Sequence, residues 1–151
     1  MFDTIMVATD GSHSAEKAVK FAVEFAKRHD SHLVICTVTK AQLVVIPRGA
    51  GGQPDAVAVD ASSLGESQAE QSEEILWRAE QEAKRAGFAD YELVEVHGEN
   101  VGATIVKEAE AHGADHIVVG SVGATGLSRL LLGSVAATVI HYAHCPVTVV
   151  R

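Results

Sequence analysis

The residues in this chain best suited to chemistry are three glycines and a serine, spaced as Gly120-x2-Gly123-x9-Gly133-Ser134. They follow an apolar run, His116-Ile-Val-Val-Gly120, and precede a helix-like run from Val135 to Ala143. Glycine lets backbone N–H groups approach a bulky anion, and a helix N-terminus attracts negative charge. The implied chemistry is capture of a phosphate-bearing ligand by main-chain donors. Ser134 reads as the N-cap of the last helix, which would aim the positive end of that helix at the anion. Two plainer readings stand beside this one: Ser134 as a cap alone, and the glycines as tight turns without a ligand.

These residues need strand ends and helix starts to position them, and the rest of the chain supplies a regular alternation. Thr4–Thr9 is a short run rich in strand formers. Ser12 or Ser14 can cap a helix whose face is Ala15, Ala18, Val19, Ala22, Phe25 and Ala26. Leu33–Val38 is continuous enough to lie in a sheet covered on both sides. A helix over about Leu64–Ala86 carries an inward stripe of Ile75, Leu76, Ala79, Ala83 and Ala86, with Trp77 expected to pack and Gly87 as the stop. Tyr91–His97 alternates as a strand, and Val101–His112 is a helix with Ile105, Val106 and Ala109 facing in. His116–Gly120, a helix over Ser134–Ala143 and a strand over Pro146–Val150 complete the order. Between Lys40 and Ser63, Pro47, Gly49, Gly51, Gly52 and Pro54 mark a long loop, expected to be mobile.

Strands separated by helices imply α/β architecture: three layers, with helices on both faces of a five-stranded parallel sheet, in one domain over residues 1–151. Ligands of such sheets bind outside the carboxyl ends of the strands, where the strand order reverses. Asp10, Val38 and Gly120 fall at such ends. Asp10 also sits in Thr9-Asp10-Gly11-Ser12, a good turn and helix-start sequence, so a purely local role is open to it.

Composition narrows the function classes. A formal net charge of −8 opposes nonspecific nucleic-acid binding, which needs Lys and Arg to displace counterions. Backbone donors can still bind phosphate inside an acidic protein. No apolar run reaches membrane-spanning length and the N-terminus lacks a signal pattern, so a cytoplasmic location without membrane contact is expected. Cys36 and Cys145 are far apart and read as structural thiols. The eight histidines offer no convincing three-ligand set; His141-x-x-His144 ends beside Pro146, and Gly113 separates His112 from His116.

Other phosphate motifs do not fit. A P-loop needs a lysine after its last glycine, and none occurs between Gly120 and Arg151. The dinucleotide fingerprint should follow the first strand, where only Thr9-Asp10-Gly11-Ser12 stands. No G-x-S-x-G nucleophile elbow is present, so no catalytic residue is assigned.

The glycine pattern, together with Ile5-Met-Val-Ala-Thr-Asp-Gly-Ser12, Leu131-Leu-Leu-Gly-Ser-Val135 and Cys145-Pro-Val-Thr-Val-Val150, resembles the ATP-binding subgroup of the universal stress protein family. The likeness runs through the chain except for the 40–63 loop. It implies a fold similar to adenine nucleotide alpha hydrolases (Rossmann-like), a homodimer formed through the C-terminal strand, and ATP as ligand, with any Mg2+ or Mn2+ carried by the phosphates. Carried over by position, Asp10 would contact ribose or adenine. Ala8 and Val38 would line the adenine pocket, with Val38 offering backbone bonds, while Val119 and Gly120 continue that wall. Gly123, Gly133, Ser134 and Val135 would hold the phosphates; Thr9 and Ser121 complete the set. This chain departs from the pattern at Val122, where relatives often carry a polar side chain, and Arg129 could supply charge instead. The function implied is a nucleotide-dependent stress-response module with an unidentified protein partner. The rivals are slow ATP hydrolysis or nucleotidyl transfer in the same pocket, and a nucleotide-free dimerisation module.

Overall fold

The computed structural model describes residues 2–40, 61–122 and 131–151, with the backbone alone for 61–66. The elements follow in the order β1 (Thr4–Ala8), α1 (His13–His29), β2 (His32–Thr39), α2 (Ala61–Arg85), β3 (Tyr91–His97), α3 (Val101–Ala111), β4 (His116–Gly120), α4 (Ser134–Tyr142) and β5 (Val147–Val150). The strands form one sheet in the order β3-β2-β1-β4-β5, every pair parallel. β1 is central because β2 and β3 lie to one side of it and β4 and β5 to the other. The order therefore reverses between β1 and β4.

The apolar pattern explains the layers. Along β1, Ile5 and Val7 point to one face, and Met6 and Ala8 to the other. The first face packs under Ala18, Val19, Ala22 and Ala26 of α1 and under Ala79 and Ala83 of α2. The second packs under Ile105, Val106 and Ala109 of α3 and Ala136 and Val139 of α4. Strands buried on both faces have no need to alternate, which is why β2 reads as an unbroken apolar run. The edge strands are only half buried: β3 retains an alternating pattern, and all four residues of β5 are partly exposed.

Local chemistry sets the helix ends. Ser12, not Ser14, caps α1; its side chain accepts the Ala15 N–H at 3.4 Å. Asn100 caps α3 in the same way, through the Ala103 N–H at 3.0 Å. The cap of α4 differs from the sequence expectation. Gly133 occupies it, because its extended backbone (φ −63°, ψ 155°) presents its carbonyl to the Ala137 N–H at 2.9 Å. Ser134 is thereby moved into the helix as its first residue. α2 begins at Ala61, so its first turn absorbs the end of the expected 40–63 loop; residues 41–60 lie outside the described residues. Trp77 does not pack inward and is 59% exposed. It falls two residues from both Ile75 and Ala79, off the buried stripe of the helix.

Candidate functional site

A parallel sheet with helical crossovers sends each chain segment from the carboxyl end of a strand into the start of a helix. Three such starts meet in one cleft over the β1/β4 reversal: Ser12 of α1, Val101 of α3, and Gly133 and Val135 of α4. The first N–H groups of an α-helix have no partner within the helix and carry its positive end. The cleft thus gathers positive potential from backbone in a chain of net charge −8. Val38, Val101, Ile105, Val119 and Ala136 supply apolar walls.

Nine sequence-selected residues line this cleft: Ala8, Thr9, Asp10, Val38, Val119, Gly120, Ser121, Gly133 and Val135. Ser134 is exposed, at the start of α4 beside it. Gly123 and Arg129 lie outside the described residues. Sequence reading missed Ser12, Ala15, Val101, Ile105 and Ala136. The signal was available for Val101, since it opens the helix after β3, just as Ser12 precedes the helix after β1.

Backbone direction at Val38 follows from the ladder. Thr9 N–H donates to the Cys36 carbonyl at 2.9 Å, so Cys36 turns its peptide groups towards β1. Alternation turns Val38 the same way, two residues on. By then β1 has ended at Ala8, so the Val38 N–H and C=O face the cleft and not a strand.

The turn carrying Asp10 is held locally. Asp10 Oδ1 accepts the Ser12 N–H at 2.9 Å, and Thr9 Oγ1 accepts the Gly11 N–H at 3.2 Å. Gly11 adopts φ +75°, the left-handed region that favours glycine. The local turn role and a place in the cleft wall therefore coexist at Asp10.

The structure revises why two of the glycines are there. A Cβ on Gly120 would lie 2.6 Å from Ser14 Oγ, 2.8 Å from Ser14 C and 2.9 Å from Ala15 N. Glycine here admits the first turn of α1 against the end of β4, a packing requirement and not an anion contact. The Gly133 N–H already donates to the Ser121 carbonyl at 2.7 Å, closing the base of the loop between β4 and α4. That amide is engaged within the protein, which leaves the first-turn amides of Ser134, Val135 and Ala136 as the donors α4 offers. Ser14 Oγ donates to the Val122 carbonyl and pins the start of the same loop to α1.

The cleft has about 510 Å³ of open space with its mouth, but water can enter only about 70 Å³ of it. Typical small-molecule sites are ~300 Å³ or larger. The cleft as it stands is narrower than that. A roomier cleft, about 390 Å³ to water, lies between α1 and α2. It meets the strand ends only at Thr9 and Gly11, and its guanidinium groups are already paired: Arg78 with Glu74, and Arg85 with Glu82. Size favours that groove, but the convergence of strand ends and helix starts favours the β1/β4 cleft, and convergence is what binds an anion.

The thiols lie outside this chemistry. Burial, with Glu108 adding to it, pushes the Cys36 thiol up to about 12, and burial also raises Cys145. Among the described residues no three His, Cys, Asp or Glu side chains group as a metal site, and no helix is long and apolar enough to cross a membrane.

Comparison with known proteins places the family and the fold. A universal stress protein of Methanocaldococcus jannaschii is 35% identical over 156 residues, covering 100% of this chain and 83% of that one. A crystal structure of a universal stress protein in complex with cAMP matches with a TM-score of 0.72 and 31% identity, over 99% of this chain and 97% of the other. The universal stress protein of Archaeoglobus fulgidus in complex with dAMP matches at 0.67 and 25% identity, over 99% and 98%. The family model described as the universal stress protein family matches residues 1–151, and the chain belongs to that family.

Proposed function

We propose that this protein binds an adenine nucleotide, ATP in the first instance, in the β1/β4 cleft and acts as a nucleotide-dependent regulatory module. The observation that carries the reading is the meeting of three helix N-termini with the inward-facing backbone of Val38 at the strand-order reversal. The two solved relatives named above hold cAMP and dAMP, which supports an adenine ligand. In this reading the base lies against Val38, Val119 and Ile105, and its edge meets the Val38 N–H and C=O. Asp10 reaches the ribose. The phosphates take the first-turn amides of α4, with the Ser134 hydroxyl beside them, and any Mg2+ or Mn2+ is carried by those phosphates. The Gly133 amide joins by exchanging the Ser121 carbonyl for a phosphate oxygen; Gly123 and Arg129 lie outside the described residues and are assigned to the phosphates by the family resemblance alone.

The same reading places the protein in the cytoplasm as a homodimer. The half-exposed edge of β5 is the surface for pairing, since an uncovered apolar edge invites a second copy. Calorimetric titration of the purified protein with ATP, AMP and GTP tests the site. The expected result is saturable heat with the adenine nucleotides and weaker binding of AMP. Absence of heat with every adenine nucleotide refutes the proposal. Turnover of bound ATP above that of an Asp10→Ala, Ser134→Ala double variant would move the protein to the class of slow ATPases. Sedimentation at two concentrations tests the dimer, and a monomer throughout contradicts it.

A further inference from the structure

We propose that His116 is an acid-labile pin for the edge strand β5, holding Thr148 while neutral and releasing the strand once protonated. His116 opens β4 at the end of the sheet opposite the cleft and is 7% exposed. Phe2 packs edge-on against its ring with centroids 4.7 Å apart, and Phe25 of α1 lies at 5.4 Å. Its Nε2 stands 2.9 Å from Thr148 Oγ1, the one side-chain hydrogen bond that ties β5 to another element among the described residues. Its Nδ1 is buried without a hydrogen-bond partner.

The chemistry follows from counting hydrogens. Neutral imidazole has one N–H, which on Nε2 donates to Thr148 and leaves Nδ1 as a bare lone pair. Protonation adds a second N–H at Nδ1, with no acceptor, and a charge within walls of carbon; both are costly when buried. The charged neighbours do not offset this. Asp115, the preceding residue, favours the charged ring; its Oδ2 accepts the Asp3 N–H at 2.8 Å and its Oδ1 is buried without a hydrogen-bond partner. α1 contributes His29, which packs on Phe2 and Phe25 at 6.5 and 4.5 Å and offers His116 no negative charge. β5 contributes only the Thr148 hydroxyl. Burial outweighs Asp115 and holds His116 below the ordinary histidine value. The unfolded or released strand therefore binds the proton more readily. The pin is intact above the free-histidine value of about 6.5 and is lost as pH falls through the lower native value. Any consequence for assembly rests on the homodimer reading, whereas the pin itself does not.

The test follows the His116 ring by NMR from pH 8 to 5, with amide hydrogen exchange at Val147–Val150, in dilute protein without nucleotide. The expected ring midpoint lies below 6.5. The opening equilibrium of β5, corrected for intrinsic exchange, should rise by up to about tenfold per pH unit between 6.5 and the ring midpoint and level off below it, while α3 amides stay constant. His116→Leu should flatten the β5 response, and Thr148→Val should speed β5 exchange already at neutral pH. A ring midpoint at or above 6.5, or an equal β5 response in His116→Leu, overturns the pin. If His116→Leu does not fold, the wild-type titration and exchange decide alone.

Discussion

The two ends of the sheet do opposite things with the same backbone polarity. At the carboxyl end, helices α1, α3 and α4 begin, and the chain presents amides, glycines and short polar side chains around an apolar cleft. At the amino end, helices finish and side chains take over. His29 closes α1, His32 opens β2, His112 caps α3 and His116 opens β4. His32 Nδ1 lies 2.7 Å from Asp90, and His112 Nδ1 lies 2.8 Å from Glu92. The difference teaches where ligand chemistry belongs. One end has donors left over from helix geometry, and the other pairs most of its charged side chains with one another, His116 Nδ1 and Asp115 Oδ1 being the buried exceptions among the described residues.

Four substitutions probe the two ends in turn. The largest effect belongs to Gly120→Val at the carboxyl end. Its Cβ would strike the backbone of Ser14 and Ala15, so a loss of about 3 kcal/mol or more is expected by urea denaturation, with nucleotide binding lost as well. Unchanged stability would mean that α1 does not seat on β4 as described. Next, Ser134→Asp places a carboxylate at the first turn of α4. Calorimetry should read at least about tenfold weaker ATP binding, while the free protein gains about 0.5 kcal/mol from the helix dipole. Equal affinity would remove α4 from the phosphate site. Ser12→Ala removes the α1 cap, a bond of 3.4 Å, and should cost about 1 kcal/mol in thermal unfolding, the typical value for a lost cap. The smallest effect is at the amino end. Glu92→Gln weakens the partner shared by His32 and His112, yet these groups are partly exposed, so less than about 1 kcal/mol is expected near pH 6 and no change in nucleotide affinity. A clear loss of affinity there would join the two ends and defeat the comparison.

Strand and helix order was legible because buried parallel strands and amphipathic helices leave different periods in a sequence. Tyr91–His97 and His116–Gly120 are read to the residue. The cleft was legible at Asp10, Val38 and Gly120 because strand ends converge by topology. What the sequence hid was the reason for each residue. Gly120 serves helix–strand packing, the Gly133 amide is held by Ser121, and the α4 cap is a glycine one step before the expected serine. Each depends on distances between segments more than ten residues apart, or on one backbone angle, and neither leaves a periodic trace. Trp77 failed for a related reason: composition marks an aromatic as core, but its position on the helix turns it to solvent.

Amide chemical-shift mapping during an ATP titration locates the bound nucleotide on the sheet. A nucleotide in the β1/β4 cleft predicts saturable shifts at Thr9, Asp10, Val38 and Ser134–Ala136, with His32, His112 and His116 at the far end unmoved. Shifts confined to the histidine end or to the α1–α2 groove, or none at all, would contradict it.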